Sequence, residues 1–193
     1  MKYSLVFRLW HWMNALVVLA LVGTVLLRWT LLSKTANAQI LSEKLLTMGI
    51  TITDTQAITL AKSLRVELWE WHIALGFIFA GLLLFRLALE RLHAKEKTPF
   101  KELDIHHKAV EVLYCILYVV LTILAATGLL IYFSNDLGFA KDVTHSIKEV
   151  HETLYYYVAF FIPLHVVGVF IADATKEKGL VSEMIHGQKR VEN

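Results

Sequence analysis

Cysteine is nearly absent. Cys115 is the only one in 193 residues, so no disulfide framework braces the chain and no Cys-x-x-Cys-His site tethers a haem covalently. Proline occurs twice and charged residues make up only 19%, which leaves few points where a helix must break and few stretches that need water. The net charge of +2 comes without the strong basic excess that would suggest nucleic acid as a partner.

Apolar length stands in place of these features. Hydrophobic residues make up 56% of the chain, and the mean hydropathy of +0.55 is too high for an ordinary soluble domain. A hydrocarbon core is crossed by about 20 apolar residues in a helix, and four runs qualify, at 6–27, 73–89, 110–133 and 153–172. They predict an all-α membrane protein, a single four-helix bundle over residues 1–193 whose surroundings are membrane lipid. The first run follows Met1-Lys2-Tyr3 directly and ends without a small-residue cleavage site, so it is expected to stay in the mature protein.

Charge placement orients the four spans. Arg86, Arg91, Lys95, Lys97, Lys101 and Lys108 crowd the connection between spans two and three, whereas Lys141 and Lys148 are the only basic residues between spans three and four. Basic loops face the cytoplasm. Both termini are therefore expected there, in an inner membrane, with an excursion over residues 30–68 on the periplasmic side. Ile40 to Met48, followed by Gly49, reads as a short amphipathic helix, and Thr53-Asp54-Thr55-Gln56 has the form of a capping box that opens a second one.

The chemistry is carried by histidines inside apolar runs, where an ionisable side chain is rare and usually functional. His151 and His165 are fourteen residues apart, which on a helix places them about 40° apart in azimuth and about 21 Å apart along the axis. Imidazole is a ready axial ligand for haem iron. His11, in Trp10-His11-Trp12, and His72, in Trp71-His72-Ile73, supply partners at matching depths. Spans one and four run in opposite directions, as do one and two, so the expected pairs are His11 with His165 toward the cytoplasm and His72 with His151 toward the periplasm. These four are the candidate iron ligands for two b haems. Gly76, one turn after His72, and Gly23, about 18 Å beyond His11, are expected to clear room for a flat macrocycle. Span three has no histidine within its core and is expected to be a non-ligating wall, with Cys115 as a small buried hydrophobe. Pro163 is expected to kink span four.

Arg8-Leu9-Trp10-His11-Trp12, His72 with Gly76, His151-Glu152 with His165, and the tail Val181-Ser182-Glu183-Met184-Ile185-His186-Gly187 together give the chain its family likeness. It resembles the bacterial cytochrome b561 superfamily, and more closely the b-type cytochrome subunit of membrane-bound nickel–iron hydrogenases. That resemblance implies transmembrane electron transfer between a periplasmic redox protein, such as hydrogenase subunits, and the membrane quinone pool. The alternative it implies is a superoxide:quinone oxidoreductase, as in the superoxide oxidases of the same superfamily.

Overall fold

The computed structural model describes residues 3–92, 100–102, 104–175 and 177–187, with no strand among them. Seven α-helices follow in order: α1 (Leu5–Trp29), α2 (Lys34–Thr47), α3 (Asp54–Ser63), α4 (Val66–Leu92), α5 (Ile105–Tyr132), α6 (Lys141–Ala174) and α7 (Leu180–His186). Four contain stretches long and apolar enough to span a bilayer: Leu5–Trp29, Val66–Arg91, His107–Tyr132 and Lys141–Ala174. His93, Lys95, Lys97, Lys176, Lys189 and Arg190 lie outside the described residues.

The helices overrun the apolar runs. α4 starts at Val66 and α6 at Lys141, well before the stretches at 73 and 153. Hydropathy marks only the part that needs lipid. The polar start of α6 is supported by pairs at helical spacing, His145 with Glu149 at 3.5 Å and Lys148 with Glu152 at 3.7 Å. His145 therefore belongs to a helix and not to a loop, and α6 continues through Pro163.

Contacts divide the chain into two compact units, residues 17–78 and residues 1–16 with 79–193. In the first, α2 packs on α3 through Ala38, Ala57 and Ala61, with Leu41, Ile52 and Ile58 closing around them. Alanines let the two short helices approach closely. α2 starts at Lys34, earlier than the sequence suggests, and its end is capped as expected: Gly49 at φ 78° lets Ile50 N–H reach back to Leu45 O at 2.9 Å. The capping box at Thr53 forms in both directions, Gln56 N–H to Thr53 Oγ1 at 3.3 Å and Thr53 N–H to Gln56 Oε1 at 2.8 Å. Only Leu64 and Arg65 then separate α3 from α4.

In the second unit α5 packs on α6 and α6 on α7. Asp104 caps α5 by accepting from His107 N–H at 2.8 Å, about 1 kcal/mol of helix stability. Side chains such as Leu84, Leu16 and Phe160 are about two-thirds exposed (68%, 67% and 67%) along the spans. In water that would be costly; in lipid it is the expected outer surface.

Candidate functional site

His11 and His165 are brought together. Trp10, just before His11, is buried and donates its indole N–H to Leu82 O of α4 at 2.8 Å. Trp12, just after it, donates to Met184 O of α7 at 3.2 Å. The turn that carries His11 is thus held on both sides. The His11 and His165 ring centroids are 6.2 Å apart, with Phe7 stacked against His11 and Phe161 against His165. A metal–imidazole nitrogen bond of about 2.0–2.1 Å, plus somewhat over 1 Å from that nitrogen to the ring centre, doubled, gives nearly the same separation. The spacing suits two imidazoles that bind one metal from opposite sides.

His72, in the unit of residues 17–78, has its Nδ1 2.7 Å from Thr24 Oγ1. Its ring stacks on Trp69 at 5.0 Å and 4°, and the Arg28 guanidinium lies over that indole at 4.9 Å. Burial, and then the Arg28 charge, push the Arg65 pKa below its usual value, so a negative group would be welcome here. Side chains added at Gly23 and Gly76 would meet nothing within 4 Å, and the same holds at Gly81 and Gly168.

His151, in the other unit, has a parallel arrangement. Its Nδ1 is 3.0 Å from Thr127 Oγ1, and a Cβ on Gly128 would come within 3.2 Å of its Cε1. α5 carries none of the four candidate ligands, yet its Thr127 contacts one of them, His151. The sequence reading missed Thr24 and Thr127; the available signal was a threonine beside a glycine within an apolar run, Gly23-Thr24 and Thr127-Gly128.

Arg8 lies three residues before His11. Among the described residues its Nε and Nη1 are buried without a hydrogen-bond partner, and a Cβ on Gly187, at the left-handed end of α7, would overlap Nη1. Arg86 is differently placed: its guanidinium sits 5.0, 5.5 and 5.9 Å from the rings of Phe7, Trp10 and Tyr118, its Nε donates to Tyr118 OH at 3.1 Å, and Glu90 is 3.9 Å away. Cys115 is exposed on α5, which corrects the expectation of a small buried side chain. His107 pairs with the Asp104 carboxylate, whereas the side chain of His106 lies outside the described residues. Among the described residues no three His, Cys, Asp or Glu side chains converge on a point.

A family model described as prokaryotic cytochrome b561 matches residues 2–187. The chain belongs to that family. No curated protein and no solved structure matches it. Cytochrome b561 proteins are helical-bundle, multi-pass membrane cytochromes that carry electrons across the bilayer with haem b, and the four apolar helices agree with that placement. The residues present fit the cofactor. The His11–His165 spacing suits an iron between them, the orphaned Arg8 nitrogens suit a propionate carboxylate, and a bis-imidazole haem needs only two protein ligands per iron.

Proposed function

We propose that this cytochrome b561 carries two b haems and passes electrons between a periplasmic redox protein, such as a hydrogenase, and the quinone pool of an inner membrane. His11 with His165 would hold the cytoplasmic haem and His72 with His151 the periplasmic one, with both termini in the cytoplasm. The observation that carries the reading is the 6.2 Å between the His11 and His165 rings. The second pair rests on helix direction and depth in the sequence.

Haem held by these histidines would supply a one-electron ferric–ferrous couple. The chain's own residues orient and insulate it. The Trp10 and Trp12 bonds fix the height of His11, and Arg8 offers two buried donors to a propionate beside it. Phe7 and Phe161, stacked on the two imidazoles, would shield them from water.

Quinone exchange is supported by a cavity of about 730 Å³ along α4 and α5, lined by Arg86, Glu90, Glu111, Tyr114, Cys115 and Tyr118 among others. Its size suits an amphipathic ring. Tyr118 OH, which already accepts from Arg86, has its own proton to donate to a quinone oxygen, and the two carboxylates can exchange protons with water. The alternative of superoxide as periplasmic donor is favoured by the Arg28 and Arg65 charges near His72, opposed by Glu67 and Glu70 in the same stretch.

Proteoliposomes with ferricyanide trapped inside and dithionite outside test the reading. Reduction of the trapped oxidant should require the protein and be lost in His11→Ala and in His151→Ala. Equal rates in empty liposomes or in those variants would reject it.

A further inference from the structure

Thr24 and Thr127 are both buried, each lies in an apolar helix, and each meets the Nδ1 of a histidine on another helix. A threonine hydroxyl has one proton. In Thr24 that proton faces Leu21 O at 2.6 Å; in Thr127 it faces Ile123 O at 2.7 Å, with Leu124 O at 3.0 Å. Were the hydroxyl proton given to the imidazole instead, the oxygen would stand against a carbonyl oxygen at those distances with no hydrogen between. The hydroxyl therefore donates to its own helix and accepts from the ring. Nδ1 carries the hydrogen of the neutral imidazole, and Nε2 is the unprotonated ring nitrogen.

We infer that Thr24 and Thr127 are positioning residues that fix His72 and His151 in the tautomer able to bind haem iron through Nε2 and lower that haem's potential. The inference rests on the ligand reading proposed above. Other span threonines lack the second contact: Thr122 and Thr153 bond only to Tyr118 O and Glu149 O of their own helices. Among the described residues neither His11 nor His165 has a ring hydrogen bond, so the device belongs to one of the two proposed pairs. An acceptor on Nδ1–H makes the imidazole more basic and favours ferric iron. Its sign favours electrons leaving the His72 and His151 side for the His11 and His165 side.

Thr24→Val and Thr127→Val keep the shape and remove the hydroxyl acceptor. In redox-titrated spectra of the full-length haem-loaded protein, each should raise the potential of one haem, the same one in both, and lower its retention by about tenfold or more. Thr24→Ser and Thr127→Ser should restore both properties. In apoprotein labelled with ¹⁵N-histidine, the Val variants should move the His72 or His151 signal away from the Nδ1–H form. If a Val variant does not accumulate, Thr→Ala at the same position is read in the same way. Unshifted potentials in both hydroxyl-free variants, or Ser behaving like Val, would overturn the assignment. His72→Ala and His151→Ala separate the two levels: haem loss there with no effect in the threonine variants rejects only the threonine role, while full haem in the histidine variants rejects the ligand reading beneath it.

Discussion

Gly128→Ala should have opposite effects on the helix and on the site. Alanine stabilises a helix interior by about 0.8–1 kcal/mol relative to glycine. Its Cβ, however, would stand 3.2 Å from His151 Cε1, inside the optimum carbon separation of about 3.5–4.0 Å, so the ring or α5 must give by about 0.3–0.8 Å. Thr127 Oγ1 now lies 3.0 Å from Nδ1, and such a shift carries the bond beyond the usual limit of about 3.2 Å. A net hydrogen-bond contribution of roughly 0.5–1.5 kcal/mol is then largely lost, which corresponds to about a two- to twelvefold loss of haem retention. Pyridine haemochrome after competition with apomyoglobin measures retention, and thermal unfolding of the apoprotein measures the helix. One of the two proposed haems should leave faster from a chain that is no less stable. Full retention in Gly128→Ala and also in the larger Gly128→Val would refute the reasoning.

Gly187→Ala forces a non-glycine residue to φ +79°, at about 1–2 kcal/mol, and displaces Arg8; proteolysis of the tail should quicken and the spectrum of the haem proposed between His11 and His165 should change, whereas Gly138→Ala, with open space around it, should leave that spectrum alone. Deleting residues 36–51 removes α2 from the Ala57 and Ala61 face and should leave both haem spectra intact while slowing exchange with a periplasmic partner; haem loss would instead make the α2–α3 hairpin a structural lid. Alkaline phosphatase fused after Asn193 should be inactive and a fluorescent protein there bright, and the reverse would invert the proposed orientation.

The four spans were legible in the sequence because lipid demands uninterrupted apolar length, and the caps at Gly49 and Thr53 because their chemistry is local. The ends of α4 and α6 were not, since a helix can continue into water on spaced ion pairs such as Lys148–Glu152, which hydropathy does not register. Cys115 went astray for a related reason: it lies in the unbroken apolar run from Val112 to Leu121, where composition cannot separate a lipid face from a packed face. Histidines stand out in such helices and threonines do not. Thr122, Thr153 and Thr127 share the same bond to their own helix, and only the packing of α5 on α6 shows which one also meets an imidazole.

The most direct test of the diheme arrangement is redox-titrated spectroscopy of four single replacements, each histidine to alanine, alongside the double replacement of His11 and His165. His11→Ala and His165→Ala should perturb one haem and His72→Ala and His151→Ala the other, with the double change little worse than either member, as expected for groups that act as one unit. The proposed pairing is contradicted if His11→Ala perturbs the same haem as His72→Ala or His151→Ala, and the diheme reading fails if the unaltered protein yields one haem or none.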